Sequence, residues 1–122
     1  MAIKRVIKDR YRQAFLARNS DEEDGLFTIY MGSVYRLYDE QGELWMKIAV
    51  RRQLYRGIVL TDMASGLMVI SGTGAKTYND AVLDVSRQYE SINKAMVMDY
   101  YKKAVKLCQE EYDELREWGA LK

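Results

Sequence analysis

The chain has 122 residues, 48% of them apolar and 30% charged, with a net charge of +1. That length and balance describe one ordered domain over residues 1–122 and leave no room for disorder or a second domain. A near-neutral total also excludes a general pull toward nucleic acid or membrane, so any such attraction must come from local segregation of charge.

Residues 2–18 read as a helix, because Ile3, Val6, Ile7, Tyr11, Ala14 and Phe15 recur at spacings of three and four. Its other face would carry Lys4, Arg5, Lys8 and Arg12, a basic strip suited to phosphates or an acidic partner. Asn19 and Ser20 end it, and residues 21–25 form an acidic loop expected to be solvated or paired with nearby basic groups.

From Leu26 the period changes to two. Phe27, Ile29, Met31, Tyr35 and Leu37 alternate with Thr28, Tyr30, Arg36 and Tyr38, giving a long half-buried strand with a bulge at Gly32–Ser33. A turn at 39–42 leads to a second strand, with Leu44, Met46, Ile48 and Val50 on one face and Trp45, Lys47, Ala49 and Arg51 on the other. A third strand covers about 54–61, and a turn at 62–66 leads to a fourth at 67–71. Short turns between consecutive strands imply an antiparallel meander. Thr77 is an N-cap for a helix starting near Tyr78 that runs, with a break near Ser91, to about Trp118, where Gly119 can end it. The expected architecture is thus α+β: an N-terminal helix, a four-stranded antiparallel meander, and one or two C-terminal helices on one sheet face.

The chemistry starts from what is missing. With no histidine, the commonest general base near neutral pH and the commonest zinc ligand are absent. The one cysteine, Cys108, rules out an internal disulfide, reads as a small buried hydrophobe, and favours a cytoplasmic setting. No run approaches the ~20 apolar residues that span a bilayer. No catalytic residues, metal ligands or cofactor are assigned.

Three surfaces remain. The segment from Ile70 to Thr77 lies between a strand and a helix start, as a phosphate loop would, but Ile70 and Ala75 stand where that motif needs glycine. What is left is a weak anion site at Gly74, Lys76 and Thr77. The order helix, strands, helix also invites comparison with double-stranded RNA-binding domains, but Lys76 stands alone before Asn79, Asp80 and Asp84, and the family is not assigned. The outer sheet face carries Tyr30, Arg36, Tyr38, Trp45, Lys47 and Arg51, with Arg52, Tyr55 and Arg56 nearby. Aromatics interleaved with arginine suit a protein interface or a base-stacking platform. Last, Val97, Tyr101, Ala104, Cys108, Leu115 and Trp118 form a helical stripe whose end could join two copies of the chain.

The function expected from this profile is a non-enzymatic module that binds another protein, such as a phage or mobile-element inhibitor of a host defence nuclease. The alternative is a nucleic-acid-binding domain using the sheet face and the basic first helix. The phage comparison is one of size and composition.

Overall fold

The computed structural model describes residues 3–19, 27–69 and 74–119. They form β1 (Arg5–Lys8), β2 (Gln13–Arg18), β3 (Phe27–Tyr38), β4 (Leu44–Gln53), β5 (Gly57–Asp62), β6 (Met68–Val69), α1 (Tyr78–Arg87), α2 (Tyr89–Met96) and α3 (Asp99–Glu117). The fold is α+β. All strand pairings are antiparallel, in the order β1-β3-β4-β5-β6, with β2 added on β3.

The helix expected over 2–18 is replaced by β1 and β2. Both pair with β3: Arg5 opposes Tyr38 and Lys8 opposes Tyr35, then Gln13 opposes Gly32 and Arg18 opposes Phe27. A twelve-residue strand offers this segment a ladder of backbone bonds. That ladder outweighs a local helical preference weakened by the β-branched Ile3, Val6 and Ile7. The basic strip therefore does not exist as a helix face. Arg5 and Lys8 lie on β1, Lys4 precedes it with its backbone N–H bonded to the Tyr38 carbonyl, and Arg12 donates to the Met31 carbonyl at 3.2 Å.

The join between β1 and β2 is a bulge in which residues 9–12 face residues 33–34. Asp9 organises it. Its backbone N–H donates to the Val34 carbonyl at 2.8 Å, and its carboxylate accepts from Gln13 Nε2 at 2.6 Å and Arg36 Nε at 3.0 Å. Burial alone would raise the Asp9 carboxyl, but the hydrogen bonds from Arg36 and Gln13 and the charges of Arg36 and Lys47 hold it below its ordinary 3.8.

β3 has two halves that meet at Gly32. Residues 27–32 pair with β2, and residues 33–38 pair with β4. A Cβ at Gly32 would come 2.8 Å from the Val50 carbonyl oxygen and 2.9 Å from Phe15 Cε1. The missing side chain is what lets the strand pass this close to β4. No bulge of β3 falls at Gly32–Ser33; there β3 leaves the β4 ladder, and along its β1 side β2 takes over from β1. The irregularity in the β3–β4 ladder itself falls beyond that point, where Leu37 opposes Met46 but Tyr38 opposes Leu44, leaving Trp45 as the extra residue.

From β3 to β6 the chain is the expected meander with two adjustments. β4 runs on to Gln53, so residues 54–56 form the turn and β5 starts at Gly57; β6 is two residues long. Ile70 and Ser71 lie outside the described residues. The C-terminal region holds three helices. Thr77 caps α1 by accepting from the Asp80 backbone N–H at 3.1 Å. The breaks fall at Gln88 and at Val97–Met98 instead of Ser91. Gly119, at φ 75°, follows α3 in the left-handed conformation that ends helices.

The main core lies between the sheet and the first two helices. Tyr35, Leu37, Met46, Ile48, Val50 and Leu60 pack with Ala81, Val82 and Val85 of α1, and Ile92 and Met96 of α2 pack against that cluster. Phe15, Leu16, Val34, Ala49, Ala104 and Cys108 are also fully buried but outside it. Val34 and Ala49 point away from α1, so the second sheet face is not the open surface that alternation implied. The roll of β2 and the first half of β3, together with α3, covers part of it.

Gly32→Ala forces a methyl against backbone and a fully buried ring. It is expected to destabilise by about 1–3 kcal/mol, read as a lower urea midpoint with an unchanged m-value.

Candidate functional site

Each sheet-face candidate has a defined place. Trp45 leaves the strand at the bulge and packs on Tyr89 of α2, with ring centroids 4.7 Å apart and its Nε1 donating to Asn93 at 2.6 Å. Arg36 is paired with Asp9, and Lys47 stands opposite Arg36 in the ladder. Tyr38 is half-buried at the end of β3. Arg52 points to the α1 face, as the pleat requires of a residue next to Arg51, and donates to the Lys76 carbonyl at 3.0 Å. These residues form no single platform.

At the candidate anion site the bonds formed use acceptors and leave the donors of Lys76 and Thr77 unassigned among the described residues. Gly74 has φ 88°, the Lys76 carbonyl is taken by Arg52, and the Thr77 hydroxyl oxygen caps α1. The acidic run at 21–24 and residues 71–73 lie outside the described residues.

What the fold does bring together is Tyr30, Arg51 and Arg56 with Arg18, a residue that sequence reasoning left at the end of a helix. They line a groove of about 450 Å³ between the end of β2, β3, the β4–β5 hairpin and the β5–β6 turn. Arg51 lies over the Tyr30 ring, with its guanidinium carbon 3.7 Å from the centroid. Its Nη2 donates to Gln53 Oε1 at 3.3 Å, while its Nε is buried with no partner among the described residues. No Asp or Glu lines this groove, and Arg18, Arg51 and Arg56 have no ion-pair partner among the described residues.

Two further features flank it. At the tip of the β4–β5 hairpin, Leu54 and Tyr55 are 78% and 97% exposed, and Tyr55 has φ 70°. Behind the groove, the β5–β6 turn is fixed by Asp62, which is 3% exposed. One Asp62 oxygen accepts from Tyr101 at 2.6 Å and Ser65 at 2.7 Å, and the other accepts from the Ala64 backbone N–H. Burial first, and the Asp62 charge second, push the Tyr101 hydroxyl far above its ordinary 10.0. The same two causes push the Cys108 thiol up to about 12, so thiolate chemistry is not available to it near neutral pH. Asp62 reads in the sequence as a turn residue, and its bond to the Ala64 backbone N–H two residues on is the local bonding that turn aspartates make.

Of the helical stripe, Ala104 and Cys108 are fully buried and Tyr101 is held on Asp62, while Trp118 at the far end is 77% exposed. Among the described residues no helix is long and apolar enough to cross a membrane, and no group of three or more His, Cys, Asp or Glu is placed to hold a metal. The chain matches no family model, no curated protein and no solved structure.

Tyr101→Phe takes away one hydrogen bond from a buried carboxylate. A loss of about 2 kcal/mol is expected, or roughly 8 °C in Tm for a domain of this size. The raised Cys108 and Tyr101 values favour the folded state below the unfolded pKa, and that stability is lost as pH rises. Tm should therefore begin to fall above about pH 9, where an unfolded thiol ionises, and keep falling beyond pH 10. Cys108→Ala should flatten the first part of that decline.

Proposed function

We propose that this chain is a non-enzymatic cytoplasmic module that binds another protein and acts by occupying it, as an inhibitor does. The observation that carries the reading is the tip of the β4–β5 hairpin. A side chain with a Cβ in the left-handed region costs on the order of 1 kcal/mol. Tyr55 takes that conformation while its ring is almost wholly in solvent. No intramolecular packing offsets the strain. Leu54 and Tyr55, followed by Arg56, have the make-up of an anchor that inserts into a concave site on a partner. The partner feature that fits is an apolar pocket with an acidic rim facing Arg56. A phage or mobile-element protein that blocks a host defence nuclease would use such a tip. A homodimer through the exposed Trp118 end of α3 is a separate use of a different surface.

The test is capture of a stoichiometric partner from a bacterial lysate, followed by size exclusion, with wild type and Tyr55→Asn in parallel. Asparagine tolerates the left-handed region, so the variant should fold with unchanged or higher stability, by up to about 1 kcal/mol. It should lose the partner by at least tenfold in affinity. Undiminished capture by Tyr55→Asn with Leu54→Asp would refute the tip as the anchor.

A further inference from the structure

The arginine groove, which shares Arg56 with the hairpin tip, has an occupant of its own chemistry. It combines three kinds of contact. Arg18 and Arg56 supply two guanidinium groups with no carboxylate in the lining among the described residues. Arg51, whose guanidinium carbon lies 3.7 Å from the Tyr30 ring centroid, lines the groove as a half-exposed planar cation on which a flat ring can stack. Asn19 and Gln53 complete the set. The Asn19 side-chain oxygen accepts from Thr28 and that of Gln53 accepts from Arg51, and among the described residues neither amide NH₂ group has a hydrogen-bond acceptor. Val59, Leu67 and Met68 form an apolar border.

An acidic peptide would use only the charge. Phosphate, a flat ring, and acceptor atoms on that ring's edge together use all three. The volume of about 450 Å³ also lies in the range of small-ligand sites. From this convergence we propose that the groove binds a phosphorylated nucleoside, either as a free nucleotide or as one unit of a single-stranded nucleic acid. The phosphate lies between Arg18 and Arg56, and the base lies on the Arg51 plane.

Fluorescence anisotropy with labelled 12-residue oligo(U) and oligo(dT), and calorimetry with AMP, test this on the full chain. Binding of either kind of probe supports the site. Oligonucleotide binding without AMP binding identifies the polymer as the source, and AMP binding as tightly as either oligomer identifies the free nucleotide. For the polymer, the two phosphate contacts from Arg18 and Arg56 predict roughly a sevenfold loss between about 50 and 200 mM salt. Arg18→Ala with Arg56→Ala, both away from the main core, should reduce binding at least tenfold with unchanged Tm. Arg51→Lys keeps the charge but not the plane, and should weaken the nucleotide while sparing inorganic phosphate. Three results overturn the proposal: no binding of any probe at millimolar protein in 50 mM salt, full binding by the Arg18 and Arg56 double variant, or displacement by polyglutamate at equal charge concentration. Tyr55→Asn should bind these probes normally, so a failure here is distinct from a failure at the hairpin tip.

Discussion

The arrangement depends on a buried carboxylate that no lysine or arginine neutralises among the described residues. Asp62 is held by the hydroxyls of Tyr101 and Ser65 and by a backbone amide. A charge removed from water is tolerated only when such donors replace its hydration. Those donors come from α3 and from the β5–β6 turn, so satisfying Asp62 fixes both. The turn in turn presents the Gly66 carbonyl to the Arg18 backbone N–H at 2.8 Å, which seats the end of β2. One electrostatic requirement thus connects the last helix to the position of an arginine at the other end of the chain.

This chain of contacts explains why the groove was only partly legible in the sequence. Alternation from Phe27 to Arg51 was readable because a period of two held over two long strands. It identified Met46, Ile48 and Val50 as core and Tyr30 and Arg51 as residues of the other face. Nothing in the spacing reveals that β3 leaves β4 at Gly32 and runs on paired with β2. Arg18 reaches the groove only through that pairing. Alternation places Arg51 on that face with Arg52 beside it, and the pleat sends Arg51 to the groove and Arg52 to the start of α1.

The N-terminal segment shows a different limit. Spacings of three and four among Ile3, Val6, Ile7, Ala14 and Phe15 satisfy a helix template. They are also met by two short strands separated by a bulge that shifts the pleat. The local signal was ambiguous, and the outcome was decided by a partner strand that appears later in the chain. Arg12 and Gln13, residues of the basic face in a helical reading, instead join Asp9 in the bonds that close the bulge.

The Tyr112 hydroxyl gives α3 a further duty. It accepts the Leu16 backbone N–H at 2.8 Å, on the same edge of β2 where Arg18 meets Gly66. That edge would otherwise offer unpaired donors to any extended chain in solution. The second half of α3 is therefore a sheath for an adhesive border. A protein clipped between Cys108 and Tyr112 would retain its main sheet-and-helix core but self-associate along β2, and its failure would be insolubility before loss of binding.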